Sequence, residues 1–355
     1  MNTYAEAGPR PAGDVDGGEY DVVVVGGGAA GLAGAMALAR ARRSVLVVDA
    51  GQPRNAPAEG IHVYLGSEGT SPARFLARGR AEVAAYGGEV VAGRVEAVER
   101  RAEGGFRVAV AGGFSVGARR LLLATGLVDE LPPVPGLAER WGRDVLHCPY
   151  CHGYEVRDQA IGVVATGPMS VHQALLWRQW SADVVLFTNG VLEVGAEDAE
   201  RLAARGIAVV EGEVAAVETE ADRLSGVRLA DGRTVARQAL AVAAPGRART
   251  DVPAGLDLPL TEVVRNGHVM GTQVSADPMG ATGVPGVWVA GNVTNVVEQV
   301  IGAAAAGVRA GAAINADLIE EDTEAAVAAY RADPLSARGE AEAGARVLGD
   351  SRHGL

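Results

Sequence analysis

The sequence predicts an α/β fold of two three-layer (ββα) dinucleotide-binding domains, on three observations. A glycine turn, Gly26-x-Gly28-x-x-Gly31, joins an apolar run to a helical stretch; the same strand-helix-strand pattern restarts at Ile161; and VVAGRVEAVE at 90–99 is echoed by VVEGEVAAVE at 209–218. Length agrees, since 355 residues exceed one core and a prior near 150 residues per domain gives two. With 48% apolar residues, 49 glycines and 4% aromatics, the chain suits close-packed layers of Ala, Val and Gly.

Each element follows from local pattern. Residues 1–19 are polar, acidic and rich in Gly and Pro, which predicts a disordered tail without a secretory signal. Residues 20–25 are an apolar strand, 26–31 the turn, 32–42 a helix and 44–48 a second strand. Short runs over 90–125, separated by glycine pairs, read as an antiparallel meander. The restart gives a strand at 161–166, a helix at 169–180 and a strand at 183–187, then a second meander over 209–242 with a hairpin at Asp231-Gly232. Residues 286–290 form a last strand, followed by a small-residue helix through Leu318. Beyond about Glu320 no clear apolar face remains. The domains are thus 20–126 with 248–320, a second unit at 127–247, and a C-terminal extension at 321–355.

Composition excludes several functions. A net charge of −12 is the wrong sign for nucleic-acid binding, and all 32 basic residues are Arg, which removes Walker-type phosphate loops and pyridoxal Schiff bases. No apolar run spans a membrane, because the longest candidate, 301–314, contains Arg309. A cytoplasmic location is therefore expected. In that compartment a structural disulfide is improbable, so Cys148 and Cys151, the only two cysteines, need another explanation.

In the Rossmann-like turn, Gly26 permits the tight bend, Gly28 lets backbone approach a pyrophosphate, and Gly31 allows close helix packing. Ala29 and Ala30 open the helix whose terminus faces the anion. Asp49, ending the next strand eighteen residues on, suits a ribose hydroxyl. The corresponding turn of the second unit reads Ala165-Thr166-Gly167-Pro168-Met169-Ser170, with two of three glycines replaced and one N–H removed by proline. Its nicotinamide site reads as degenerate; the alternative is a divergent pocket using Arg178 or another distant Arg.

Cys148-Pro149-Tyr150-Cys151-His152 has redox spacing. Such a pair closes a small disulfide ring, one thiol is activated near a helix start or histidine, and His152, with His147 on the other flank, can carry protons. Covalent haem c, zinc and an inert thiol pair are rival readings. The first wants export, the second another ligand pair, and the third only packing.

Leu123-Ala124-Thr125-Gly126 and 286–292, ending in Gly291-Asn292, resemble the paired signatures of two-domain flavoproteins, with Asn292 where Asp is usual. The span 20–318 resembles thioredoxin-reductase-like FAD flavoproteins. The histidine after the second cysteine resembles the branch of dithiol oxidases that close the disulfides of holomycin and gliotoxin. The resemblance implies FAD held by Gly26, Gly28, Ala29, Ala30, Gly31, Asp49, Ala124, Thr125, Gly126, Gly291, Asn292, Gln299 and Val300. It further implies Cys151 facing the flavin, Cys148 exchanging with substrate, and His152 or His147 as acid/base. The implied partners are a small-molecule dithiol, O2 as acceptor giving H2O2, and a second copy of the chain in a homodimer. An NADPH- or ferredoxin-fed disulfide reductase and a redox sensor are the alternatives. Specificity is expected in loops near Tyr64, Trp141 and Tyr150.

Overall fold

The structure, a computed structural model, describes residues 8–250, 255–265, 267–332 and 337–348. Strand β1 (Glu19–Val25) leads through the glycine turn to α1 (Ala29–Arg40) and β2 (Val45–Asp49). Next come α2 (Pro72–Ala85), β3 (Glu89–Ala92), β4 (Val95–Arg100), β5 (Phe106–Val110) and β6 (Phe114–Leu123). Crossing strand β7 (Leu127–Asp129) precedes β8 (Val145–Leu146), the one-turn α3 (Pro149–His152), β9 (Ile161–Val164) and α4 (Met169–Trp177). The second unit continues with β10 (Val184–Phe187), α5 (Ala196–Ala204), β11 (Ala208–Val210), β12 (Val214–Glu220), β13 (Arg223–Leu229), β14 (Thr234–Ala236) and β15 (Ala239–Val242). The chain returns through β16 (Gly246–Ala248) to β17 (Leu260–Arg265), β18 (His268–Val274), β19 (Val287–Val289), α6 (Val300–Ala332) and α7 (Ala337–Leu348).

Two open parallel sheets result. In the first, β3, β2, β1, β6 and β19 lie side by side, all parallel. In the second the order is β11-β10-β9-β15-β8, also parallel. Both are near-continuous runs of Val, Leu and Ile because each is covered on both faces. One core of the first unit includes Leu38, Leu122 and Ile314 among the helices; the other, on the meander side, includes Phe106 and Val108. The second unit repeats this arrangement with Trp177 on its helical side and Leu229 on its meander side. Helix α1 packs against α6 through glycines: a Cβ on Gly307 would lie 2.0 Å from the Ala30 carbonyl oxygen, and one on Gly311 2.8 Å from that of Gly34. The crossing strands β7 and β16 pair antiparallel, and we place the unit boundaries on them.

Several expectations need correction. The meanders are shorter than 90–125 and 209–242, because their first runs, β3 and β11, join the parallel sheets, as does β15 at the end of the second. Alternation of apolar residues does not reveal strand direction. The turn at Asp231-Gly232 does join antiparallel β13 and β14. The amino-terminal segment is folded in its described part: Arg10–Pro11 pairs in parallel with Val91 and Ala92, Val15 is buried, and Asp16 Oδ1 accepts the Ser115 amide at 2.9 Å. Its first seven residues lie outside the described residues. Helix α6 does not stop near Leu318 but runs to Ala332, tied by Arg43, Arg119 and Arg120 to Asp317, Glu321 and Asp322. Ion pairs to distant strands fix the turn that lacks an apolar face. Among the described residues no helix is long and apolar enough to cross a membrane.

Candidate active site

The glycine turn has the strain and openness its residues imply. Gly26 has φ +106, and a Cβ there would lie 2.5 Å from the Ala124 carbonyl oxygen. A Cβ on Gly31 would lie 1.9 Å from the Gly26 carbonyl oxygen, whereas Gly28, the N-cap of α1, has nothing within 4 Å of that position. The initial N–H groups of α1, those of Ala29, Ala30 and Gly31, have no intrahelical acceptor and face this opening. Asp49 ends β2 beside the turn, its Oδ1 accepting from Gly51 N at 3.1 Å. Thr125 Oγ1 donates to the Arg249 carbonyl at 2.7 Å, and Gly126 and Gly291 take φ of +73 and +79. An open helix terminus with a flanking carboxylate fits the pyrophosphate and ribose of a dinucleotide. Asn292 is partly committed: its Nδ2 donates to the carbonyls of Asn295 and Glu298 at 3.1 and 3.0 Å, leaving Oδ1 as the end for a ligand.

The second turn is built differently. The buried Ser170 hydroxyl accepts the Thr166 N–H at 3.1 Å, and Thr166 Oγ1 donates to the Ala243 carbonyl at 2.9 Å. Asn189 Nδ2 donates to the Ala165 carbonyl, and its Oδ1 accepts the Val214 amide. An amide that would face a phosphate is thus satisfied internally. Arg178 is no substitute, since it lies at the far end of α4 and donates to the carbonyls of Arg205 and Ser181.

Between these turns lies the dithiol. Cys148 is the N-cap of α3 and Cys151 sits on that turn, both half-buried, with Sγ atoms 2.6 Å apart. Gln299, immediately before α6, places Nε2 3.9 Å from both sulfurs. The second unit's thiols therefore meet the helix entrance of the first. Hydrogen bonding from Cys151, aided by backbone amides of the turn and Gln299, outweighs burial and holds Cys148 down to about 6. The same shared proton, with burial, pushes Cys151 up. The pair is thus biased toward a thiolate on Cys148 and a retained proton on Cys151.

Reactivity should show this directly. With the pair reduced, alkylation of Cys148 by iodoacetamide should follow a midpoint near pH 6: the thiolate is present above it and lost as pH falls through it. A midpoint near the free-thiol value of about 8.5 would contradict the shared-proton arrangement.

His147 lies against Trp141, ring centroids 6.2 Å apart, and its Nδ1 is 3.2 Å from the Val242 carbonyl. A carbonyl only accepts, so Nδ1 carries the hydrogen and Nε2 is the basic end. Burial, then Arg54, lower the His147 pKa against the opposing pull of Asp129; burial likewise lowers that of His152 against Glu155. Both rings are thus biased toward the neutral, proton-accepting form. Among the described residues no three His, Cys, Asp or Glu side chains gather as a metal site would require.

Sequence reading missed Arg54, Asp129, His62 and Glu155. Arg54 makes a two-point ion pair with the largely buried Asp129 carboxylate, at 2.8 and 2.5 Å, and its charge reaches His147 and Cys151. No motif marks these residues, because they are distant in sequence and meet only in the folded chain. Of the expected loop aromatics, Tyr64 stacks edge-on with Phe75, Trp141 flanks His147, and Tyr150 stands edge-on to Trp180, 58% exposed beside the sulfurs.

Two dinucleotide-type units with a dithiol at their junction define a disulfide oxidoreductase of the flavoprotein class. The comparisons specify it further: the family model for pyridine nucleotide-disulphide oxidoreductases matches residues 20–307, and the chain belongs to that family. It is 32% identical over 326 residues to thioredoxin reductase tcpT of Claviceps purpurea (strain 20.1), covering 84% of this chain and 95% of tcpT. Thioredoxin reductase sirT of Leptosphaeria maculans is 29% identical, with 86% and 96% covered. The crystal structure of HlmI matches with a TM-score of 0.79 at 43% identity, covering 93% of this chain and 98% of HlmI. An oxidoreductase from Agrobacterium tumefaciens matches at 0.78 and 38% identity, covering 85% and 99%. The protein is thus a thioredoxin-reductase-like flavoprotein, and its cofactor is FAD.

Proposed function

We propose that this protein is an FAD-dependent dithiol oxidase that closes an intramolecular disulfide in a small-molecule dithiol of the holomycin or gliotoxin kind. O2 is the terminal acceptor and H2O2 the product. The observation that carries the reading is the second turn's lost amides: the Ser170 hydroxyl caps the Thr166 N–H and Pro168, the N-cap of α4, has none to give, although Gly167 is as uncrowded as Gly28. A reductase fed by NADPH needs both turns.

In this reading Gly26, Gly28, Ala29, Ala30 and Gly31 hold the FAD pyrophosphate and Asp49 a ribose. Ala124, Thr125, Gly126, Gly291, Asn292, Gln299 and Val300 line the rest. FAD, when bound, supplies a two-electron acceptor that restores the cysteine disulfide and is itself returned to the oxidised state by O2, giving H2O2. The protein's own part is thiol–disulfide exchange. A substrate thiolate bonds to Cys148 Sγ, the Cys148–Cys151 bond breaks, and Cys151 leaves with the electron pair. The second substrate thiol, deprotonated, attacks the substrate sulfur and expels Cys148 as thiolate. Substrate loses two electrons and two protons, and the cysteine pair gains two electrons. A Cys148 thiolate stable near pH 6 is a good leaving group. His152, with His147 as second base, takes a proton from the incoming thiol.

The test is aerobic mixing of the purified protein with a small dithiol such as dithiothreitol, measuring peroxide. Stoichiometric H2O2 is expected, with no bleaching of the flavin by NADPH under anaerobic conditions. Rapid NADPH bleaching without peroxide formation would overturn the proposal in favour of a reductase.

A further inference from the structure

We propose that His62 is a positioning residue for this chemistry, acting through Glu155 on proton exchange at His152. The purpose rests on the oxidase reading above; the geometry does not. His62 opens a small loop closed by hydrogen bonds from Ile61 N to Thr70 O (2.8 Å) and from Gly69 N to Ile61 O (2.9 Å). Inside it the Glu68 carboxylate meets His62 Nδ1 at 2.7 Å and accepts the Val63 amide at 2.9 Å. Val63 is β-branched yet has φ +59, a strained conformation that persists where its surroundings impose it.

That imposed loop directs His62 Nε2 at Glu155 of the second unit, 3.6 Å away. Glu155 lies three residues beyond His152, in the turn that follows α3. Side-chain exposure is 42% at Glu155, 19% at His62 and 64% at Glu68, so both carboxylates reach solvent and the imidazole between them is the covered member. Closing a disulfide releases two protons beside partly buried histidines, and Glu155 is the solvent-reaching carboxylate near His152 that His62 faces. Surface ion pairs at such exposure add little stability, so strain retained for this contact has a purpose other than holding the units together.

The charges around His152 give the inference a sign. Glu155 faces it with negative charge, His62 and His147 with positive charge when protonated; His62 itself faces Glu68 and Glu155. At the sulfurs, Gln299 is the polar neighbour and Arg54 the nearby charge. His62→Gln leaves Glu155 uncompensated, so His152 should hold its proton more tightly. Glu155→Gln should do the opposite.

The experiment is a pH titration of histidine-labelled FAD-loaded protein by NMR, practical with six histidines, the His152 signal being assigned from its loss in His152→Asn. The His152 midpoint should rise by about half a pH unit in His62→Gln and fall by about as much in Glu155→Gln. The acid limb of kcat/KM for dithiol oxidation should move with it. No shift in either variant, or shifts of the same sign, overturns the inference. Peroxide production by the unmutated protein is scored separately, so failure of the oxidase reading is told apart from failure of this one. Should His62→Gln not fold, Glu155→Gln alone decides by its sign.

Discussion

Replacing Cys151 by serine is expected to lower dithiol oxidation by about a thousand-fold or more and to let Cys148 retain a monothiol as a mixed disulfide. The two cysteines are 2.6 Å apart but not equivalent. Cys148, the N-cap of α3, has the thiolate favoured, while Cys151 retains the proton. In Cys151→Ser the serine hydroxyl still donates to Cys148, but no protein disulfide can form for substrate to attack, and no partner sulfur remains to expel a monothiol bound at Cys148. Incubation with a linear disulfide that carries no second thiol, such as oxidised mercaptoethanol, should therefore add one thiol mass to Cys151→Ser, released by reductant. Cys148→Ser should be equally inactive yet add little, because its remaining thiol is the one whose proton is held. Mass spectrometry of the intact proteins reads both. Preferential labelling of Cys148→Ser would reverse the assigned roles, and turnover surviving in either variant would remove the dithiol from the mechanism.

What the sequence revealed follows the range of the forces involved. The first turn was legible because its demands are local: a positive φ at Gly26 and backbone contact at Gly31 each exclude a side chain, so the glycines report the geometry directly. The altered second turn was half legible. The missing glycines suggested damage, but the Ser170 hydroxyl satisfying the Thr166 amide depends on burial that no motif encodes. Strand direction was hidden, since short runs of Val, Ala and Glu dominate both β3, which is parallel, and β4, which is antiparallel. The extent of α6 was hidden because Arg119 and Arg120 lie some two hundred residues from Glu321. Contacts at the junction were the least legible. Arg54 meets Asp129 75 residues away on the crossing strand β7, and His62 meets Glu155 only through the docking of one unit on the other.

The glycine turn offers a second large effect, and a way to separate folding from ligand binding. Gly31→Ala places a methyl carbon 1.9 Å from the Gly26 carbonyl oxygen, a backbone atom that can yield only if the turn and α1 move apart. Overpacking of this kind costs on the order of 3 kcal/mol, so a fall in melting temperature and loss of the yellow colour are expected together. Gly28→Ala meets nothing within 4 Å, and its φ of −75 suits any residue, so the FAD-free chain should unfold within about 1 kcal/mol of the parent. Its methyl nevertheless stands at the mouth of the α1 terminus, where backbone must approach a pyrophosphate, and FAD affinity should drop by about tenfold or more. Denaturation of the stripped proteins and FAD titration by fluorescence quenching give the two readouts. If Gly28→Ala binds FAD as tightly as the parent, the pyrophosphate is not held at this turn. If Gly31→Ala keeps both colour and melting temperature, the contact between α1 and the turn is looser than the structure shows.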